Sequence, residues 1–318
     1  MDKFSKLFLW FFAIWLLPGQ VNFALGQQVI KIGLIGITPE IPIHVAKDRG
    51  CFNQEGIKIV PVRVRGGAAA IPALAGGSLQ MTHSAYVSAF VARERGIRVT
   101  ILAPFDKFIK GHDASAIVVR DDSGIKKARD LEGKTVAVNV IKSLNWLYAT
   151  EWLSKAGADP GKVVWLEVPF PFMIGAVRTK KVDAVYATEP FVTLEREKGG
   201  VRVVARPFTA VSPVMYTGGV VGIEEWVRPN KDKVAGFVRC LRKSIDYLNA
   251  NRDKWPDIFP RYTRLKREWV PRLVKPNFSS DPMDLGILQS GADLALKWGL
   301  IRKRLDVKEM TWPTALAK

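Results

Sequence analysis

The chain is poor in the residues that build metal and redox sites. It holds two cysteines, Cys51 and Cys240, and three histidines, His44, His83 and His112, among 318 residues. No CxxC or HExxH occurs, and no two histidines stand at metal-ligand spacing, so a structural metal site is not expected. Two cysteines this far apart do not suggest a stapled scaffold, and they read as unpaired thiols. The sequence also lacks a serine nucleophile elbow, a Cys–His pair at a recognisable spacing and a paired-carboxylate motif, which favours a binding protein over an enzyme. Acidic residues are scarce, 30 against 48 basic ones, for a net charge of +18. The basic residues are scattered. Their densest runs, 261–267 (RYTRLKR) and Arg302-Lys303-Arg304, show neither aromatic interleaving nor a helix-turn-helix pattern. That argues against a nucleic-acid partner and for a solvated basic face. Beyond the first residues no apolar run approaches the ~20 residues a spanning helix needs.

What is present begins with a leader. Lys3 and Lys6 precede an unbroken apolar run, Leu7 to Leu17; Pro18-Gly19 breaks it, and Ala24-Leu25-Gly26 offers small residues at a cleavage site. Residues 1–26 therefore read as a secretory signal peptide, cleaved after about Gly26, with a periplasmic destination. No cysteine at the cleavage point invites lipid attachment. Removal leaves 292 residues carrying a net charge of about +17, a length at which two domains are the natural expectation. An oxidising compartment permits a disulfide between the two cysteines without requiring one.

Strand and helix patterns then alternate. Short apolar, β-branched runs predict strands over 29–35, 57–64, 79–82, 99–103, 114–119, 134–138, 163–168, 182–187 and 201–205. Helices are expected between them: over 41–49 with Thr38 as N-cap, to about Leu74 from a late start near Ala69 because of Pro72, and after Ser143, where Leu144, Leu147, Tyr148 and Trp152 share one face. Residues 213–221 form an extended return segment, and the chain from Asn230 onward is helical and basic. The alternation argues for an α/β fold with two open, mostly parallel sheets flanked by helices.

In such sheets ligands bind beyond the carboxyl ends of strands, where helix N-termini offer free N–H groups. The rule selects Thr38, Gly66-Gly67, His83-Ser84, Asn139, residues 169–170 and Glu189. Each has a plainer role available: Thr38 and Ser143 as ordinary caps, Gly66-Gly67 as a turn, His83 as a polar helix start, Asn139 as a turn residue. Glu189, before Pro190 at the end of an apolar strand, would fix a ligand or a hinge partner. Tyr86, Phe105, Phe170 and Phe172 could line an aromatic-tolerant cleft, and Arg65 is the one arginine clearly at a strand end.

The stretch IKIGLIGITPEIPIHVAKDRGCFNQEGIKI resembles the opening of bacterial ABC-importer substrate-binding proteins of the nitrate/sulfonate/taurine type, a family that includes binders of pyrimidine precursors of thiamine. The likeness continues through PALAGGSLQMTHSA, DLEGKTVAVN and LEVPFPFMIGAVRTKKVDAVYATEPF. It implies a type II periplasmic-binding-protein fold of two lobes joined by hinge strands and closing on a small, anionic or aromatic solute, with an ABC permease as partner, no cofactor and a monomeric state. By position it implies ligand contacts at Thr38, Pro39, Gly66, Gly67, Ala68, His83, Ser84 and Tyr86 in lobe one, and at Asn139, Ser143, Asn145 and Glu189 in lobe two, to which the aromatic Phe172 is added as a candidate contact. Cys51 stands where an aromatic is usual, and Lys142-Ser143-Leu144 lacks the usual glycine. The alternative is an enzyme of pyrimidine or thiamine-precursor metabolism on the same scaffold, whose eukaryotic relatives carry a cysteine cluster absent here. The return of the chain near residue 213 places lobe one at 27–113 and 215–318 and lobe two at 114–214.

Overall fold

The computed structural model describes residues 27–105 and 107–317. The leader lies outside the described residues. Among those described, no helix is long and apolar enough to cross a membrane.

The chain opens with β1 (Gln28–Leu34), then α1 (Ile41–Asp48), α2 (Cys51–Gln54), β2 (Ile57–Arg63), α3 (Gly67–Ala75), β3 (Met81–Ala85), α4 (Tyr86–Glu94) and β4 (Val99–Pro104). A short β5 (Lys107–Ile109) leads to β6 (Ser115–Arg120), β7 (Thr135–Val138), α5 (Leu144–Lys155), β8 (Val164–Glu167), α6 (Phe170–Arg178), β9 (Ala184–Thr188), α7 (Phe191–Arg196), β10 (Val201–Ala205) and α8 (Pro207–Val211). The return runs through β11 (Val214–Tyr216) and β12 (Gly218–Ile223) to α9 (Glu224–Val227), the long α10 (Lys231–Ala250), α11 (Trp255–Ile258) and α12 (Leu285–Lys297).

Two five-stranded sheets result, ordered β2-β1-β3-β12-β4 and β10-β6-β9-β7-β8. Each is parallel except for one strand. β12 runs against β3 and β4, and β6 runs against β9 and β10. In both, the odd strand is the one the chain lays down on crossing from one sheet to the other, so it enters from the opposite end. β5 and β11 pair separately, Phe108 opposite Met215, and carry the two crossings side by side. The first sheet packs Ile30, Ile32 and Ile59 against Phe52, Phe237 and Leu241 of α2 and α10. The second packs Val118, Ala137 and Val185 against Met173, Ile174 and Val177 of α6.

Three local expectations are corrected. α3 starts at Gly67 rather than late, because Pro72 forfeits only the bond to the carbonyl of Ala68, near the helix start where few bonds exist. Thr38 is not a cap: Ile37 holds the N-cap position of a 3-10 turn over 38–40, and Thr38 lies inside it, fully buried. Cys51 and Cys240 are not unpaired thiols. They form a disulfide with Cα atoms 5.6 Å apart, tying α2 to α10. Gly50, at φ 72, ends α1 and redirects the chain so that the single turn of α2 meets α10, a tertiary contact that residue spacing does not encode.

Candidate functional site

Beyond β1 the backbone of Ile35, Gly36 and Ile37 curls round one carboxylate. Glu40 Oε1 accepts from the Ile35 N–H at 2.7 Å, and Oε2 accepts from the N–H groups of Gly36 and Ile37 at 2.6 and 3.2 Å. His83, in the neighbouring β3, brings Nδ1 to 2.7 Å from Glu40 Oε1. Both side chains are buried, and the edge of the imidazole meets Phe105 at 4.6 Å between centroids. Burial pushes the Glu40 carboxyl upward, but the hydrogen bond and charge of His83, together with the amides of Ile35 and Gly36, outweigh it and hold the group below its ordinary value.

His83 faces a cavity of about 60 Å³ that is partly open to solvent and lies between the two sheets. From the first sheet come Ile35, Ile37 and Pro39 after β1, Gly67 and Ala68 of α3, and Ala85 and Ser88 at the start of α4. From the second come Ser115, Asn139, Ser143, Leu144, Asn145, Phe170 and Thr188, with Phe108 of β5 and Phe208 of α8 closing one side. The wall is chiefly apolar. Its only ionisable side chain among the described residues is His83, and no lysine or arginine lines it. Ser115 Oγ and Thr188 Oγ1 bond each other at 3.0 Å, and Asn145 Nδ2 donates to the Tyr186 carbonyl at 3.3 Å.

Four helices, α3, α4, α5 and α6, begin at this cavity, and none has a side chain capping its first turn. Ser143 is the informative case. It occupies the N-cap position of α5, yet its hydroxyl donates to the Val140 carbonyl at 2.6 Å instead of accepting from the helix. The α5 amides are therefore left for whatever enters, and the summed helix dipoles favour an anion or acceptor there.

Of the candidates named from sequence, Pro39, Gly67, Ala68, His83, Asn139, Ser143 and Asn145 meet at the cavity. Gly66, Thr38, Ser84, Tyr86, Phe172 and Glu189 do not line it. Gly67 has a packing reason to be glycine: a Cβ there would stand 2.3 Å from Ser84 Oγ and 2.5 Å from Ser84 Cα, so α3 can seat on β3 only without one. Ser84 thus packs against Gly67 and does not itself line the cavity. Tyr86 is buried in a separate apolar recess with Leu144 and Tyr216. Phe172 is 67% exposed, whereas Phe170 is buried and forms the wall. Phe170, Met173, Ile174 and Val177 follow the i, i+3, i+4, i+7 rule and bury together; Phe172 falls off that face. Glu189 is fully buried behind the wall, its carboxylate accepting from Thr193 N–H and Oγ1, both at 2.9 Å. Phe105 is buried under His83, and Arg65 is exposed outside the cavity. Glu40 was not among the candidates named from the sequence. The available signal was a carboxylate on a tight turn directly beyond a buried strand.

A basic groove adjoins the cavity and shares Ala68 with it. Arg95, Lys142, Arg302 and Lys303 line it, contributed by both sheets' helices and loops. Its one carboxylate, Glu94, is occupied by the backbone N–H groups of Arg302 and Lys303, and none of the four cations has an ion-pair partner among the described residues. Such a mouth concentrates anions and loses its pull as salt screens it. Replacing all four by glutamine is expected to slow association of an anionic solute roughly tenfold at low ionic strength, with dissociation little changed. Stopped-flow rates at two salt concentrations check this; equal salt slopes for parent and variant would remove the groove from the entry route.

Comparison with known proteins places this geometry. The family model described as NMT1/THI5 like matches residues 38–254. An inferred aliphatic sulfonates-binding protein of Bacillus subtilis (strain 168) is 24% identical over 297 residues, 89% of this chain and 86% of that protein. Among solved structures, the alkanesulfonate-binding protein SsuA from Xanthomonas axonopodis pv. citri, bound to MOPS, is similar with a TM-score of 0.78 at 20% identity, over 91% of this chain and 99% of that one. The periplasmic nitrate-binding protein NrtA from Synechocystis PCC 6803 gives a TM-score of 0.76 at 14% identity, over 91% and 87%. At these identities the structural likenesses establish the fold: two sheets of mostly parallel strands flanked by helices, as in periplasmic binding proteins.

Proposed function

The chain belongs to the NMT1/THI5-like family, and from that premise we propose that it is an exported receptor that captures a small organic anion of the sulfonate type and delivers it to an ABC permease. One observation carries the reading: four uncapped helix starts converge on an apolar cavity that both sheets build and no lysine or arginine enters. Main-chain N–H groups can hold an oxyanion head while the apolar wall takes its carbon chain. The names of its relatives support the same class of solute and an extracytoplasmic site of action. The role proposed is binding without chemistry, and Cys51 and Cys240, joined to each other, offer no free thiol among the described residues.

The lobes of this receptor are residues 27–113 with 215–318, and 114–214. The division is supported by the strand membership of the two sheets and by the β5–β11 pair lying where the chain crosses. Hinge bending there would open and close the cavity, so that solute touches both walls only when closed.

Native mass spectrometry of the protein purified without refolding should recover a small acid with unchanged mass. Ser143→Ala should weaken binding of that acid about tenfold, about 1.4 kcal/mol, while the melting temperature stays nearly constant. Conversion of the acid on incubation, or wild-type affinity in the variant, would count against the receptor reading or against this cavity respectively.

A further inference from the structure

Resting on the receptor reading, we propose that Glu40 is a positioning residue which, through His83, makes the cavity select an anionic head group by taking up a proton when solute binds. The argument starts from valence. A carboxylate accepts at about four lone-pair positions. Glu40 fills them with three backbone N–H groups and the His83 ring nitrogen. An acceptor-only partner at 2.7 Å requires the proton on Nδ1. The ring is thereby fixed in tautomer and in plane, with Phe105 against it, and Nε2 is its one uncommitted polar atom.

With Nε2 bare, the cavity meets an anion's oxygen with a lone pair. With Nε2 protonated, it offers the only full positive charge on the wall, and Glu40 balances that charge from behind. The anion therefore binds the protonated ring preferentially, and one proton passes from solvent to Nε2 for each solute bound to an unprotonated site. Among the described residues, no other ionisable side chain lines the cavity. In β12, Val220 stands opposite His83; from β1, Gly33 pairs beside it at Thr82. Phe105 covers one edge. His44, in α1, is held below its ordinary value by burial, against the charges of Glu40 and Asp48 and with that of Lys47.

The test is calorimetry of butanesulfonate binding to the full exported chain, in two buffers of different ionisation enthalpy, from about pH 5.5 to about 8.5, where a histidine titrates. The parent protein should take up close to one proton at the alkaline end, with affinity falling about tenfold per pH unit there. Butanesulfonamide, the neutral isostere, should bind weakly and without a pH slope. His83→Gln keeps an N–H donor that cannot titrate, and should abolish both proton uptake and slope. Glu40→Gln should move the slope to lower pH. Because Glu40 also ties down the β1 loop, the two-buffer measurement on the unmodified protein stands without that variant. Sulfonate binding with no proton uptake anywhere in the range overturns the role of the pair and leaves the receptor standing. Equal affinity for sulfonamide and sulfonate overturns head-group selection. Failure of the unmodified protein to bind any sulfonate overturns the receptor reading, and this inference with it.

Discussion

Removing the Cys51–Cys240 disulfide, by reduction or as Cys51→Ala/Cys240→Ala, is expected to cost about 4 kcal/mol of unfolding free energy. At this chain size that corresponds to a fall of roughly 10 °C in melting temperature. The bridge joins residues 189 apart, so cutting it frees a long loop in the unfolded chain. Loop-closure entropy grows only logarithmically with length, yet at that separation it approaches the top of the range for single disulfides. The native state loses little in exchange, since α1, α2 and α10 remain packed through Phe52, Phe237 and Leu241. Cys51 is partly exposed, which gives a reductant a sulfur to attack, while Cys240 is fully buried. Both lie on the outer side of the first sheet, so solute affinity below the melting transition should not change. Scanning calorimetry with and without reductant, each with and without solute, decides the matter. Coincident melts would show that the bridge contributes nothing; a loss of affinity on reduction would couple it to the cavity.

The same bridge marks what residue patterns carry and what they do not. The alternation of apolar runs and helical segments placed β1, β2, β4, β9 and β10 to within a residue or two, because a short apolar, β-branched run is a local signal. Two sheets were read from the alternation of strands and helices, and a division into lobes from the return of the chain near residue 213. Contacts between elements distant in the chain left no local mark. Cys51 meets Cys240, and Glu40 meets His83 across 43 residues, only because β1 and β3 are neighbours in a sheet order that skips β2 to one edge. Naming Phe172 alongside Phe170 is a different kind of miss. Helical periodicity was available over 170–177 and assigns the buried face correctly, whereas choosing by residue type did not. Ser143 was placed correctly and its bond was not: the hydroxyl turns to Val140, which is a local alternative that serine offers any backbone carbonyl within reach.

Glu189 separates stability from binding most sharply, and Glu189→Ala is expected to cost about 3 kcal/mol of stability while leaving solute affinity within a few-fold. Its carboxylate accepts from Thr193 N–H and Oγ1 in α7 and from Val274 N–H in the C-terminal segment, at 2.9, 2.9 and 3.4 Å. The Glu189 carbonyl accepts from Thr38 N–H at 3.4 Å. It thus knits the end of the second sheet's central strand to segments belonging to the first. Truncation strands those donors in a dry interior, where an unpaired polar group costs more than a made bond returns. The effect should also depend on pH. Burial raises the Glu189 carboxyl above its ordinary 4.5, against the bonds from Thr193 and Val274 and the charge of Arg206. An acid raised in the folded state keeps its proton where the unfolded chain has lost it. Its contribution is full below the unfolded value and declines as pH rises through the folded one. The stability gap between parent and Glu189→Ala should therefore be wider near about pH 4 than near about pH 8. Glu40 runs the other way, since its lowered value makes its contribution present above 4.5 and lost as pH falls through the folded value. Urea unfolding of parent and variant at both pH values, with calorimetric titration of solute into the folded variant at neutral pH, measures each effect separately. A tenfold loss of affinity with an unchanged unfolding midpoint would move Glu189 from the framework into the binding site.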